Sequence, residues 1–120
     1  MTTVGLKDDH EKILKNWLVN KLRRLSYMWP SRKQAIKNAR IARGKYKCAS
    51  CEGIFGPKEI NCDHIESVIQ PEVGFVDWNT YISRLFCELE GWQILCIQCH
   101  DAKSFLENQI REEIKNTKKN

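Results

Sequence analysis

The sequence predicts a small α+β protein with helices at both ends, short strands in the middle and a metal clip joining them. Three observations predict it. Apolar residues recur at helical spacing near the N-terminus, again in the third quarter and again near the C-terminus. Residues Glu59 to Val68 alternate as a strand does, and Trp92 to Leu95 make a second short one. Two Cys-x-x-Cys pairs, Cys48/Cys51 and Cys96/Cys99, stand with 44 residues between them. The 120 residues, 42% of them hydrophobic, are material for one domain spanning 1–120. A basic helical extension over 7–44 precedes a cysteine-clipped core over 46–115.

Taken in order, Lys7 to Met28 form an amphipathic helix with Ile13, Trp17, Leu18, Leu22 and Leu25 on one stripe. Trp29-Pro30 stops it, because the residue before a proline is pushed out of the helical region. Ser31 stands three residues before Gln34, the spacing of a capping box, so a second helix runs to about Ala42. Its apolar side is Ala35, Ile36 and Ala39, and Gly44 is its C-terminal cap. The first cysteine knuckle follows over Tyr46 to Gly53, then a turn over Ile54 to Pro57 and the strand from Glu59. After a loop over Pro71 to Gly74, Asp77 caps a third helix. Its face is Trp78, Tyr81, Ile82, Leu85, Phe86 and Leu89, and Gly91 ends it. That face reads as core rather than as a base-stacking platform. Trp92 to Leu95 lead into the second knuckle, and a last helix spans His100 to about Lys115 with Phe105, Leu106, Ile110 and Ile114 inward. Asn116 to Asn120 should fray.

The charge is lopsided. Twelve basic residues and no acidic one lie between Lys12 and Lys47, in a chain whose formal net charge is only +5. The obvious partner of such a stretch is a polyanion, since each neutralised phosphate releases condensed counterions. Arg32, Lys33, Lys37, Arg40 and Arg43 are the candidate DNA contacts, clamping the phosphate backbone without reading sequence. A solubilising face or a dock for an acidic protein partner is the alternative. No apolar run is long enough to cross a membrane, and Met1 to Asp9 lack the apolar stretch of a signal peptide. A cytoplasmic, reducing location is therefore expected, where disulfides are disfavoured.

Under reducing conditions four soft thiolates in two Cys-x-x-Cys pairs point to a structural Zn²⁺ held by Cys48, Cys51, Cys96 and Cys99. A redox dithiol and unmetallated core cysteines are the other readings. The spacer exceeds the usual zinc-ribbon interval, so something is built between the knuckles. Cys62 and Cys87 read as small buried apolar groups.

A zinc clip joining the knuckles would draw the start of the last helix towards the strand that carries Asp63-His64. Asp63, His64 and His100 would then converge. A carboxylate and an imidazole leave room for water and substrate oxygens, which suits a hydrolytic Mg²⁺ or Mn²⁺ better than a closed site. Neighbouring strand residues face opposite ways, so one of the Asp63-His64 pair binds the ion while the other activates water. Without the knuckles, the pair would read as an ordinary buried hydrogen-bonded contact.

Cys48-x-x-Cys51, Asp63-His64-Ile65 and Leu95-Cys96-x-x-Cys99-His100-x-x-Lys103, in that order, resemble the HNH endonucleases. The likeness covers about Tyr46 to Lys103, and the basic helices and Trp-rich insertion resemble small stand-alone nucleases of bacteriophages. It implies a ββα-metal core, DNA phosphodiester hydrolysis, and a place in the host cytoplasm with a possible protein partner in phage DNA processing. His64 matches the general base, and Asp63 and His100 match ligands of one catalytic Mg²⁺ or Mn²⁺. Lys103, one turn beyond His100, is either a phosphate contact or a plain surface lysine. One departure stands out: Gly91 occupies the place where the family usually has its central Asn. Asn79, Glu88 or Glu90 is the candidate replacement. His10 has no such context and reads as a surface residue. Against the nuclease stands a non-catalytic zinc-stabilised DNA-binding or assembly module, or a purely structural adaptor. Nothing in the chain decides the oligomeric state.

Overall fold

A computed structural model describes residues 8–119. The expected helix start at Lys7, the reading of the first residues and the last tail residue, Asn120, lie outside that range. The fold is α+β, with a three-stranded sheet, a two-stranded sheet and four helices among the described residues.

Helix α1 (Asp8–Ser26) has Asp8, Asp9 and Glu11 in its first turn and Arg23 and Arg24 in its last, the polarity that complements a helix dipole. Its expected apolar stripe is only partly covered: Ile13 is 68% and Trp17 56% exposed, and Leu25 is exposed as well. The helix docks through its C-terminal half instead. Val19 and Leu22 pack on Val68, Tyr81 and Leu85, and Ser26 is buried one turn on. The Tyr81 hydroxyl donates to the Val19 carbonyl at 2.9 Å, which fixes this rotation of the helix.

Helix α2 (Pro30–Ala39) starts with Pro30 in its first turn, and the Ser31–Gln34 capping box does not form. Ser31 lies inside the helix, where its hydroxyl donates to the Cys87 carbonyl (2.7 Å) and accepts from Trp92 Nε1 (2.9 Å). Gln34 bonds Asn38 instead. The helix also ends earlier than expected. Arg40–Ala42 is strand β1, which turns through Arg43-Gly44 into β2 (Lys45–Lys47). Gly44, at φ +71°, therefore serves a hairpin turn rather than a helix cap. Ile54–Phe55, expected as a turn, is β3 and completes the sheet in the order β1-β2-β3.

The second sheet pairs β4 (Ile60–His64) with β5 (Trp92–Cys96), antiparallel, with Asp63 opposite Gln93 and His64 opposite Trp92. Strand β4 stops at His64 rather than Val68. Its partner begins at Trp92, so later residues have no ladder to join, and the Ile65 amide bonds the Gly91 carbonyl as the chain leaves. Helix α3 (Trp78–Leu85) is capped by Asp77, which accepts from the Thr80 amide at 2.7 Å. It buries Tyr81 and Leu85 to 2% and 1% exposure but ends at Leu85, and Leu89 falls in a separate single turn, Leu89–Gly91.

Helix α4 (Ile97–Lys119) begins inside the second knuckle and continues through Asn116, which was expected to fray. Its inner face also differs from expectation. Phe105 and Leu106 are exposed, while Lys103, Ser104 and Glu107 face inward with Ile110 and Ile114. The helix lies against β4 and β5 with a polar stripe. No helix among the described residues is long and apolar enough to cross a membrane.

A four-cysteine centre and a cation-rimmed cleft

The Cys48–Gly53 knuckle closes through two backbone bonds, Cys48 N–H to the Gly53 carbonyl (2.9 Å) and Glu52 N–H to the Cys48 carbonyl (3.0 Å). Glu52 takes a left-handed φ of +62° to make this turn. Gly53 is needed beside it, since a Cβ there would lie 2.8 Å from the Phe55 ring. Strand β5 carries Cys96 beneath the knuckle, and the first turn of α4 supplies Cys99. Cys48 and Cys96 are buried with Leu95, against Phe55 and Cys99.

The sulfurs of Cys48, Cys51, Cys96 and Cys99 all lie within 4.8 Å of one another, and Cys51 and Cys96 Sγ are 3.9 Å apart. Four thiolates at about 2.3 Å around a tetrahedral Zn²⁺ sit about 3.8 Å from each other, so the spacing fits that ion. Backbone amides of Ser50, Cys51 and Cys96 point at Cys48 Sγ at 3.3–3.5 Å. Burial pushes the Cys48 thiol up, but these amides outweigh it and bring its pKa down to about 6. Cys99 goes the other way, to about 12, chiefly through the Cys96 sulfur beside it and then through burial. Thiolates crowded this closely do not all ionise without a cation among them. Among the described residues this quartet is the only group of three or more Cys, His, Asp or Glu side chains close enough to share an ion.

Asp63 and His64 sit at the end of β4, above the start of α4. The His64 ring lies over Trp92 (centroids 4.0 Å apart), and its Nε2 is 2.9 Å from the Leu85 carbonyl. A carbonyl only accepts, so Nε2 carries the proton and the Nδ1 lone pair is left free. Burial holds the His64 pKa below the ordinary histidine value, against the opposing pull of the Leu85 bond and the Asp63 charge. The ring is neutral at pH 7. Asp63 Oδ2 accepts from Lys103 Nζ at 2.5 Å and from Gln93 Nε2 at 3.4 Å, and Lys103 Nζ also reaches the His64 carbonyl at 2.5 Å. Lys103 is thus neither a free surface lysine nor, in this state, a free phosphate contact.

Asp63, His64, His100 and Lys103 all line one cleft of about 840 Å³. Its other cations are Arg23 from α1, Arg32 from α2 and Arg111 from α4. Of the residues named as candidate nucleic-acid contacts, Arg32 and Lys103 line it; Lys33, Lys37, Arg40 and Arg43 do not. Arg23 belongs to the basic Lys12–Lys47 stretch without having been one of the named contacts, and Arg111 is an addition that sequence reasoning missed. Arg111 had a signal: His100, Lys103/Ser104, Glu107 and Arg111 repeat at three- and four-residue steps, one polar face of α4. Glu107 bonds Ser67 across the cleft wall.

Asn79, Glu88 and Glu90 do not line the cleft, whereas Asn61, on the same face of β4 as Asp63, does. The glycine at 91 has a steric cause. A Cβ there would fall 2.5 Å from Cys87 Sγ, so no asparagine fits without moving that loop. No protein-family model matches the chain, and no curated protein or solved structure is significantly similar to it.

Proposed function

We propose that the chain is a metal-dependent DNA endonuclease of the HNH type, with zinc on the four cysteines. The observation that carries this reading is the cleft itself: Asp63, His64 and His100 line one cavity, rimmed by four cations, beside the cysteine quartet. In this reading Arg23, Arg32 and Arg111 hold phosphates on either side of the scissile bond. His64, neutral and oriented by Leu85 and Trp92, takes a proton from water onto Nδ1. The water oxygen bonds to phosphorus as the bond to the leaving oxygen breaks. Asp63 and His100, an oxygen and a nitrogen donor, would hold Mg²⁺ or Mn²⁺, which supplies charge stabilisation at the phosphate when bound.

Incubating the purified protein with supercoiled plasmid in Mg²⁺ or Mn²⁺, with and without EDTA, tests this directly. Nicked or linear product that EDTA abolishes is expected, reduced about 10²–10⁴-fold by His64→Ala with zinc content unchanged. Intact plasmid under every divalent ion rejects it. A second reading, a non-catalytic zinc-stabilised DNA-binding module, draws on Gly91 and on the Lys103 ammonium seated on Asp63. It predicts salt-sensitive DNA retention without strand breaks.

A further inference from the structure

The Lys103 ammonium has an unusual seat. It lies 2.5 Å from both the Asp63 carboxylate and the His64 main-chain carbonyl, an oxygen pair of the kind that hard cations take. Both side chains are largely covered, Lys103 at 26% and Asp63 at 18% exposure. A carboxylate so enclosed requires a cation beside it. His100, one turn before Lys103 on α4, faces the same cleft.

We propose that Lys103 is a tethered counter-ion of Asp63 that a divalent cation and a nucleic-acid phosphate displace together, so that the two bind this cleft cooperatively. The inference rests on the nuclease reading of the cleft and deepens it. A divalent ion on Asp63 and an ammonium 2.5 Å from the same oxygen repel each other, so the ion binds by expelling Lys103. The released ammonium, on its four-carbon stem, remains in a cleft whose acidic groups are Asp63 and Glu107, the latter already bonded to Ser67. Arg23, Arg32 and Arg111 line the same cleft, so its best new partner is a phosphate drawn in by those same cations. A phosphate arriving first does the reverse, pulling Lys103 away and uncovering Asp63 for the ion. Coupling of this kind is reciprocal. Lys103 is accordingly a positioning residue, acting through Asp63.

The test measures Mn²⁺ binding to the full-length, zinc-loaded His64→Ala protein, which keeps the residue 64 carbonyl and cuts DNA at least about a hundredfold more slowly. Free Mn²⁺ is followed by its paramagnetic resonance signal, with and without a short duplex, and ions held by DNA alone are subtracted. DNA should tighten Mn²⁺ binding by about tenfold, within the usual range of coupling between sites. Adding Lys103→Met should tighten Mn²⁺ binding about tenfold in the absence of DNA and cut the DNA effect at least about fivefold. Phosphates attract Mn²⁺ in both proteins, so the diagnostic quantity is the difference between them. Lys103→Arg supplies a second check should the Met variant lose its zinc. A guanidinium grips a carboxylate with two bonds, so Mn²⁺ should bind more weakly than to the parent. Unchanged Mn²⁺ affinity in Lys103→Met or Lys103→Arg, with the DNA effect intact, overturns the inference and leaves the nuclease reading standing. Absence of Mn²⁺ binding in every protein, with or without DNA, overturns both.

Discussion

The cysteine centre and helix α1 use the same kinds of apolar contact to opposite degrees. Around the cysteines, Cys48, Leu95 and Cys96 are buried in one cluster, with Phe55 and Cys99 packed against it. Along the outer half of α1, Ile13, Leu14 and Trp17 are exposed, although their spacing is that of a buried face. Ligand spacing is a statement about distance, and two sulfurs three residues apart in a tight turn reach one ion wherever the turn is placed. Apolar periodicity is a statement about one face only, and says nothing about what lies opposite it.

Several measurements would break or sharpen that contrast. The largest effect is expected at the four-cysteine centre. Stripping the zinc proposed there with a strong chelator, or Cys96→Ser, should abolish the cooperative melt followed by circular dichroism. Structural zinc contributes about 10–16 kcal/mol in small peptides, as much as the net stability of a whole domain. A melt unchanged by chelation would mean the quartet is an ordinary core. Next comes the second cluster: Leu85→Ala should cost about 2–5 kcal/mol in urea unfolding, since the side chain is enclosed by Val68, Tyr81 and α1.

The pH dependence follows from His64. Its pKa lies below the usual value, so on the proposed nuclease reading it is competent as a base at pH 7 and cleavage should hold steady above about pH 6.5. On acidification through the lowered pKa, activity should fall about tenfold per pH unit, and His64→Ala should lack this limb. Stability shifts in the same sense. Below the ordinary histidine pKa the unfolded chain binds the proton more readily, so acid favours unfolding and His64→Ala should lessen that loss.

Smaller again, if the cleft holds DNA as proposed, replacing Arg23 and Arg111 by Ala should weaken DNA retention regardless of sequence. Each lost phosphate contact should reduce the salt slope of duplex binding by about 0.9, whereas Lys33→Ala and Arg43→Ala, outside the cleft, should change it less. Smallest is Trp17→Ser, expected within about 0.5 kcal/mol of the parent because the ring is mostly exposed. A larger loss would show that something covers this end of α1 in solution.

Much of the candidate site was legible beforehand. Cys48, Cys51, Cys96 and Cys99 do come together; Asp63, His64, His100 and Lys103 line one cleft, but Asp63, His64 and His100 do not converge closely enough for all three to share an ion. The Asp77 cap, the proline break before α2 and the two strands around residues 60 and 94 also follow from local chemistry. What escaped was set by distant partners. Ser31 has the spacing of a cap, yet a carbonyl 56 residues away and an indole 61 residues away claim its hydroxyl. Helix α4 reads as apolar at Phe105 and Leu106, yet it leaves both exposed and turns a polar stripe towards β4, where Lys103 bonds Asp63.

The amino-acid sequence alone determined the donor set, the neighbouring carboxylate and imidazole of residues 63 and 64, and the carboxylate-free basic stretch. Residue type and short spacing suffice for those, because they depend on bonds within a few residues. The three-dimensional structure alone decided which cations reach the cleft, which nitrogen of His64 is free, and that Lys103 spends its charge on Asp63. Each of those turns on contacts between residues about 20 to 40 positions apart or more, where packing of whole elements outweighs any local preference.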